Sequence, residues 1–419
     1  MNAPQRDRQF ATNADAVSPD GGMSRGEFIL LTATMMAVTA LSVDVMLPAL
    51  PEIGEALGLT NANDRQIVII IYMLGFSIGQ LAYGRLSDRY GRKPVLMAGM
   101  AIFIAGSLVA ALASAFSTML IARMVQGLGA AAPRVIAIAL VRDRYVGRDM
   151  ARVMSFAMAV FIIIPVLAPS IGQGLLQMGT WRLVFDFLFV AGVAIAIWSG
   201  VRLPETVRPE NGAAPLSLGA SVRSAVETPQ TIGYAIAGGL MFGCVLSYVS
   251  SAQQVFVDVF NLGHLFPIAF GATAVMIAVA SVTNAMLVER LGMRRLSHTA
   301  LAVFIVIAAV LVAAVMAGAA SFWLFIALMM PMFLLFGFVA PNFNALAMEP
   351  QGDNAGMASS VVGFVSTGIA AVAGGVIGHL FDGTVLPLAL GMLVLGLLVF
   401  GVVAWVEGLS GLFHSGRQP

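Results

Sequence analysis

Asp44 lies in Leu41-Ser42-Val43-Asp44-Val45-Met46-Leu47-Pro48-Ala49-Leu50-Pro51, toward the end of an apolar run. An ionised carboxylate at membrane depth costs a few kcal/mol, so an acid inside a span is a functional candidate by default. For such an acid, burial favours the protonated form and a nearby cation the ionised one, so a modest rearrangement loads or releases a proton. The alternative is an Asp44 that sits in the interface and only caps or pairs. A second set lies further along: Arg123 and Arg134 are 11 residues apart, about three helical turns or roughly 16 Å on nearly one face. Gly127 and Ala130 fall between them and Gln126 flanks them, giving a narrow polar groove that lipid would not accept. Arg123 is the candidate tuning partner of Asp44, and the alternative for both arginines is pairing with backbone carbonyls. Tyr72, Gln126, Arg134, Tyr248, Gln253 and Asn342 are the candidates for lining a substrate cavity.

These residues need helices to hold them. The chain has 419 residues, 59% of them hydrophobic and 10% charged, with a mean hydropathy of +0.93; soluble domains are usually about a quarter charged. A spanning helix needs about 20 apolar residues. The runs predict twelve, near 28–47, 66–84, 95–115, 119–140, 152–176, 184–203, 231–256, 266–287, 298–317, 322–345, 358–379 and 385–405. The first 26 residues are polar, with no apolar segment or cleavage site before the first span. Placing both termini in the cytoplasm puts 18 of the 22 Lys and Arg residues inside, as the positive-inside rule requires.

Between the second and third spans stands Gly84-Arg85-Leu86-Ser87-Asp88-Arg89-Tyr90-Gly91-Arg92-Lys93, and a faded copy returns 201 residues later as Ala285-Met286-Leu287-Val288-Glu289-Arg290-Leu291-Gly292-Met293-Arg294. The acid, the arginine and the second glycine recur in register. The chain therefore reads as an all-α membrane protein of two pseudo-symmetric six-helix bundles, an arrangement common among solute carriers. The expected organisation is a cytoplasmic tail over 1–26, bundles over 27–203 and 231–407, a linker over 204–230, and a tail over 408–419. Gly84 and Gly91 suit tight helix ends, and Asp88 suits the positive N-terminal end of the eleventh helix as a cytoplasmic latch. In the fifth span, Pro165, Pro169 and Gly172 remove or free backbone hydrogen bonds and suit a hinge or a close helix contact.

Cys244 is the only cysteine, which excludes an internal disulfide and a cysteine metal cluster. No phosphate-binding Gly-x-x-x-x-Gly-Lys string is present, Lys93 being the only lysine. Connections are short, leaving no room for a soluble catalytic domain, so an enzyme is not expected. Neither is a cofactor, a metal or a nucleic-acid partner; energy comes from a gradient or a separate protein.

Taken together, these pieces resemble the drug/proton antiporters of the major facilitator superfamily, in particular the bicyclomycin and chloramphenicol resistance branch. The first-span string ending at Pro51 resembles that branch's opening motif, and Gly75-Phe76 through Gln80, Gly84 and Lys93 its second span and loop. Arg123-Met124-Val125-Gln126-Gly127 is similar to the fourth-helix motif whose arginine is implicated in proton coupling. Arg142-Asp143, Trp181-Arg182 with Phe185, Leu203-Pro204-Glu205-Thr206, Ala355 to Ser360, and Phe381-Asp382-Gly383-Thr384-Val385-Leu386-Pro387 add to the likeness. The fifth helix departs from the antiporter pattern Gly-x-x-x-Gly-Pro-x-x-Gly-Gly, with Ile164, Ala168 and Gln173 at three glycine positions. Pro165 to Pro169 keep the Pro-x-x-Ala-Pro form of the branch. The resemblance implies a monomeric multi-pass protein of the bacterial inner membrane that exports small amphipathic compounds against protons. Its coupling residues would be Asp44 and Arg123, and its cytoplasmic gate Gly84, Asp88, Arg89, Gly91, Arg92 and Asp143. A carrier of a single metabolite and a non-transporting membrane receptor or scaffold are the competing readings.

Overall fold

A computed structural model describes residues 23–145, 147–206 and 218–408. Most of each expected tail, and residues 207–217 of the expected linker, lie outside the described residues. Twelve long helices follow one another: α1 (Arg25–Asp44), α2 (Ile67–Tyr90), α3 (Arg92–Ala111), α4 (Phe116–Arg144), α5 (Gly147–Met178), α6 (Arg182–Arg202), α7 (Pro229–Gln254), α8 (Phe266–Leu291), α9 (Met293–Met316), α10 (Phe322–Met348), α11 (Ala355–His379) and α12 (Leu386–Glu407). Among the described residues eleven helical stretches are long and apolar enough to cross a membrane, and α5 adds the shorter apolar stretch Ile163–Met178.

These helices are apolar on every side, so hydrophobic contrast does not choose the inner face. In α12, Leu388, Met392, Leu395, Val399 and Val403 are buried at helical spacing, while Leu390, Val394, Leu398 and Trp405 stay exposed although equally apolar. Close packing decides instead, and small residues allow it. A Cβ on Gly127 of α4 would strike the Tyr72 carbonyl of α2, and one on Gly75 of α2 would strike the Met124 carbonyl of α4.

Helix contacts show the duplication. α1 packs on α4, α5 and α6, and α7 packs in the same way on α10, α11 and α12. The pairs α2–α4, α3–α4 and α3–α6 recur as α8–α10, α9–α10 and α9–α12. The bundles meet mainly where α2 packs on α11 and α5 on α8. The sequence repeat also has a conformational basis: Gly91 and Gly292 each turn the chain between two helices with φ +96° and +77° and nearly equal ψ, a region that favours glycine.

With twelve spans, α1 begins and α12 ends at one face, called here the termini face; the other is the far face. Three expectations change in detail. The first span stops at Asp44 rather than at 47, because Pro48 has no N–H to offer the Asp44 carbonyl, and a short helix over Leu50–Ala56 follows. The linker contains a helix, Leu218–Glu227, whose Ala225 packs against Ala358 and Val361 of α11 and against Leu81 of α2. The fifth helix runs without interruption through Pro165 and Pro169. Gly172 is its close contact: a Cβ there would strike the Val45 carbonyl, just past Asp44.

Candidate functional site

Asp44 is 5% exposed at the end of α1, and among the described residues it has no hydrogen-bond or ion-pair partner. A buried carboxylate without a counter-ion is a costly arrangement. Arg123 is fully buried, but it does not supply that counter-ion. Its Nε donates to the Val68 carbonyl of α2 (3.2 Å), Nη2 to the Ser42 carbonyl of α1 (3.3 Å) and Nη1 to Oε1 of Gln126 (2.5 Å). The guanidinium also lies 4.3 Å from the centre of the Tyr72 ring and 5.9 Å from that of Phe185. Arg123 therefore ties α4 to α1 and α2 through carbonyls and aromatic faces. The direct pairing of Arg123 with Asp44 expected from the sequence is absent here: the guanidinium is taken up by the Val68 and Ser42 carbonyls and by Gln126.

Of the cavity candidates, three are engaged in packing within a bundle. Gln126 donates to Ser107 of α3 at 2.7 Å while accepting from Arg123. Tyr248 is enclosed by Phe256, Phe270 and Phe333 and is hydrogen-bonded to Thr273 of α8. Asn342 of α10 donates to Asn284 of α8 at 2.7 Å. The others retain capacity or stand between helices. The Tyr72 hydroxyl lies beside Thr39 and Ser42 of α1, and neither it nor the Thr39 hydroxyl has a formed hydrogen bond. Oε1 of Gln253 is likewise buried without a partner. Arg134 stacks over Phe76, 5.8 Å from the ring centre.

The loop after α2 holds a compact charge cluster. Arg92 donates to Ser87 (2.7 Å), to Asp88 (2.5 Å) and to Asp143 at the end of α4 (2.9 Å). Glu205 accepts from the backbone N–H groups of Arg92 and Lys93, so it caps the start of α3. Gly91 leaves room for that carboxylate, since a Cβ would stand 2.8 Å from its oxygen. Arg89 is exposed and lies over Tyr90. Gly84 sits against Ser360 of α11. Asp88 pairs inside its own bundle, so the latch onto α11 expected from the sequence is not made in this conformation.

Polar contacts between bundles concentrate at the far face. Arg65 pairs with Asp258 (3.4 Å), Asp64 faces His379 (3.7 Å), and Asn63 donates to the carbonyls of His379 (2.9 Å) and Phe381 (2.8 Å). Gln254 donates to Asn63 at 2.8 Å and accepts from Gln66. Deeper, Ser77 donates to the Phe364 carbonyl (2.8 Å) and Gln80 to Thr367 (2.8 Å). At the termini face, by contrast, the ion pairs among the described residues stay within a bundle: Arg25–Asp149, Glu27–Arg202, the Arg92 cluster, and Arg294 with Glu349 and Glu407.

Residues 32–375 match the family model described as Major Facilitator Superfamily. The chain belongs to that superfamily. It is 30% identical over 354 residues to the MFS-type transporter YdgK of Bacillus subtilis (strain 168), covering 82% of this chain and 86% of that protein. It is 26% identical over 372 residues to a bicyclomycin resistance protein homolog of Haemophilus influenzae, covering 86% and 91%. The multidrug resistance protein MdtL of Klebsiella pneumoniae (strain 342) is 34% identical over 193 residues, 44% of this chain and 49% of that one. Among solved structures, the human organic anion transporter MFSD10 (TETRAN) has the same fold at a TM-score of 0.64 and 16% identity, covering 91% of this chain and all of that one. The protein is thus a multi-pass membrane transporter of the superfamily, not an enzyme.

Sequence reasoning missed the far-face network of this superfamily member. Its signal was four polar residues in a row, Asn63-Asp64-Arg65-Gln66, abutting an apolar run, together with Gln254 and Asp258 at the end of another. It also missed the second copy of the charge cluster. Arg294 at the start of α9, Glu349 after α10 and Glu407 at the end of α12 occupy the places of Arg92, Asp143 and Glu205 in the first bundle.

Proposed function

We propose that this transporter exports small amphipathic compounds in exchange for protons, by alternating access, across a bacterial inner membrane with its termini face in the cytoplasm. The observation that carries the reading is Asp44, a buried carboxylate with no partner among the described residues. Such a group is stable only when neutralised. A proton does this, and so does a hydrogen-bond donor on a bound compound. The two occupants compete for one pair of oxygens, and competition of that kind is what exchange transport requires.

In this reading the far-face network closes the extracytoplasmic side and would have to open during the cycle. Release of the Asp44 proton to the cytoplasmic side would make room for a compound between the bundles, beside Tyr72, Thr39 and Gln253. Rocking would then break the contacts of Asn63, Arg65 and Gln66 with the second bundle. In the opposite state Asp88, which is exposed here beyond its contact with Arg92, would meet the N-terminal end of α11. The resistance names of two relatives favour drug-like cargo, and a monomer in the bilayer is sufficient for the cycle.

The test is purified protein in proteoliposomes under an imposed proton gradient. Asp44→Asn should abolish gradient-driven accumulation while detergent-solubilised protein still binds the compound. An Asp44→Asn protein that still concentrates the compound would overturn the assignment.

A further inference from the structure

The second bundle contains a buried histidine that proton coupling at Asp44 does not use. His298 is 2% exposed on α9, five residues on from Met293, about 7.5 Å along the axis from the start of the helix. Its Nε2 lies 3.1 Å from the hydroxyl of Tyr234 on α7, and the same hydroxyl lies 2.6 Å from Oε1 of Glu407 on α12. The imidazole lies nearly parallel to the Tyr234 ring, at an interplanar angle of 6° and 6.4 Å between centres, with Phe343 of α10 against both rings. Glu407 also accepts from Arg294 Nε at 2.9 Å, and Arg294 reaches Glu349, which accepts from Gln230.

Hydrogen-bond direction follows from chemistry. A carboxylate only accepts, so the Tyr234 hydroxyl donates its one proton to Glu407, and His298 Nε2 must then carry a proton and donate to the Tyr234 oxygen. The Arg294–Glu349–Glu407 set is the second bundle's charge cluster at the start of its third helix, with Arg294 in register with Lys93, and Met97 stands 201 residues before His298. The histidine branch belongs to the second bundle alone.

We propose that His298 is a second proton-binding site, separate from Asp44, that exchanges protons with water at the termini face through Tyr234 and Glu407. In the loaded state the imidazolium donates to Tyr234 and Tyr234 to Glu407. On release, Nε2 passes its proton to the Tyr234 oxygen as the hydroxyl passes its own to Glu407. Glu407 then loses that proton to water and keeps Arg294 as its counter-ion. In the unloaded state the histidine holds its proton on Nδ1 and Tyr234 donates to Nε2, which requires the Glu407 carboxylate to turn from the Tyr234 oxygen toward Arg294. The charged and titratable groups around the site are Tyr234 on α7, Arg294 on α9, Glu349 after α10 and Glu407 on α12, while Glu289, Arg290 and Arg295 are exposed. The site stands on its own geometry, whether or not Asp44 carries the coupled proton.

The experiment is nitrogen-15 NMR of histidine-labelled full-length protein in nanodiscs, with His298→Asn assigning the signal among the four histidines. His298 should titrate between pH 5 and 9, and its neutral form should be the Nδ1–H tautomer. Tyr234→Phe, which keeps the ring against Phe343, should move the midpoint by at least half a pH unit and abolish that tautomer preference. Glu407→Gln should also move the midpoint. A histidine that stays in one state over the range overturns the site, and a titration unchanged in both variants overturns the relay. Neither result bears on accumulation by the Asp44→Asn protein.

Discussion

At the scale of single residues, Asp44 and Arg123, both buried in the first bundle, are handled in opposite ways. Arg123 is surrounded by acceptors from three helices, whereas Asp44 has no partner among the described residues. The guanidinium therefore ties three helices together, and the proposed function puts the exchanged proton on the carboxylate. Arg123→Ala should strand the Gln126 amide and two buried carbonyls at about 1–3 kcal/mol each. The expected outcome is a marked fall in melting temperature in detergent, with no shift in the midpoint of the pH profile of compound binding. Arg123→Lys should recover part of the stability, since it keeps the charge but loses the fork that reaches three acceptors. A moved pH midpoint in Arg123→Ala would restore the guanidinium as the electrostatic partner of Asp44.

At the scale of elements, glycines set how closely the helices that carry these residues approach. Gly75 and Gly127 let α2 and α4 meet backbone to backbone, and that approach places Tyr72 beneath the Arg123 guanidinium. Gly127→Leu should push the pair apart at about 1–3 kcal/mol of overpacking, lowering the melting temperature and transport together. Gly174→Ala is the control on α5, since a Cβ there meets nothing within 4 Å, and it should melt as the wild type does. Equal melting of the two variants would show that the α2–α4 contact is not limiting. The prolines of α5 teach a different lesson. Both fit inside a continuous helix, which approaches the chain just past α1 closely at Gly172.

At the scale of the molecule, the conformation is set by which face joins the bundles. Arg65–Asp258 and the amide contacts of Asn63, Gln66 and Gln254 span the far face, and the ion pairs at the termini face do not cross. An Arg65→Ala, Asn63→Ala double variant should shift the population toward forms open at the far face. Spin labels at Thr60 and Ala319, one in a far-face loop of each bundle, should report longer distances than in the wild type. An unchanged distance distribution would mean that packing of α2 on α11 alone holds the face closed.

The amino-acid sequence by itself determined the membrane class, the twelve spans and the internal duplication. Each of these follows from local facts: a run of about 20 apolar residues must span, and Gly91 and Gly292 impose the same turn in both halves. It also determined that Asp44, Arg123 and Asp88 are exceptional, because a charge in or beside an apolar run is visible without a fold. Tertiary structure alone decided their partners. Arg123 faces carbonyls of Ser42 and Val68 rather than Asp44, Asp88 pairs with Arg92 rather than α11, and Tyr248 meets the rings of Phe270 and Phe333. The reason is that a helix apolar all round carries no periodic signal of its inner face, so rotation and contact are set by small residues and by neighbours far away in the chain. The pairings of Asn63 with Gln254 and of His298 with Tyr234 and Glu407 join residues 191, 64 and 173 positions apart at their widest links, and only the packed bundles bring them within reach.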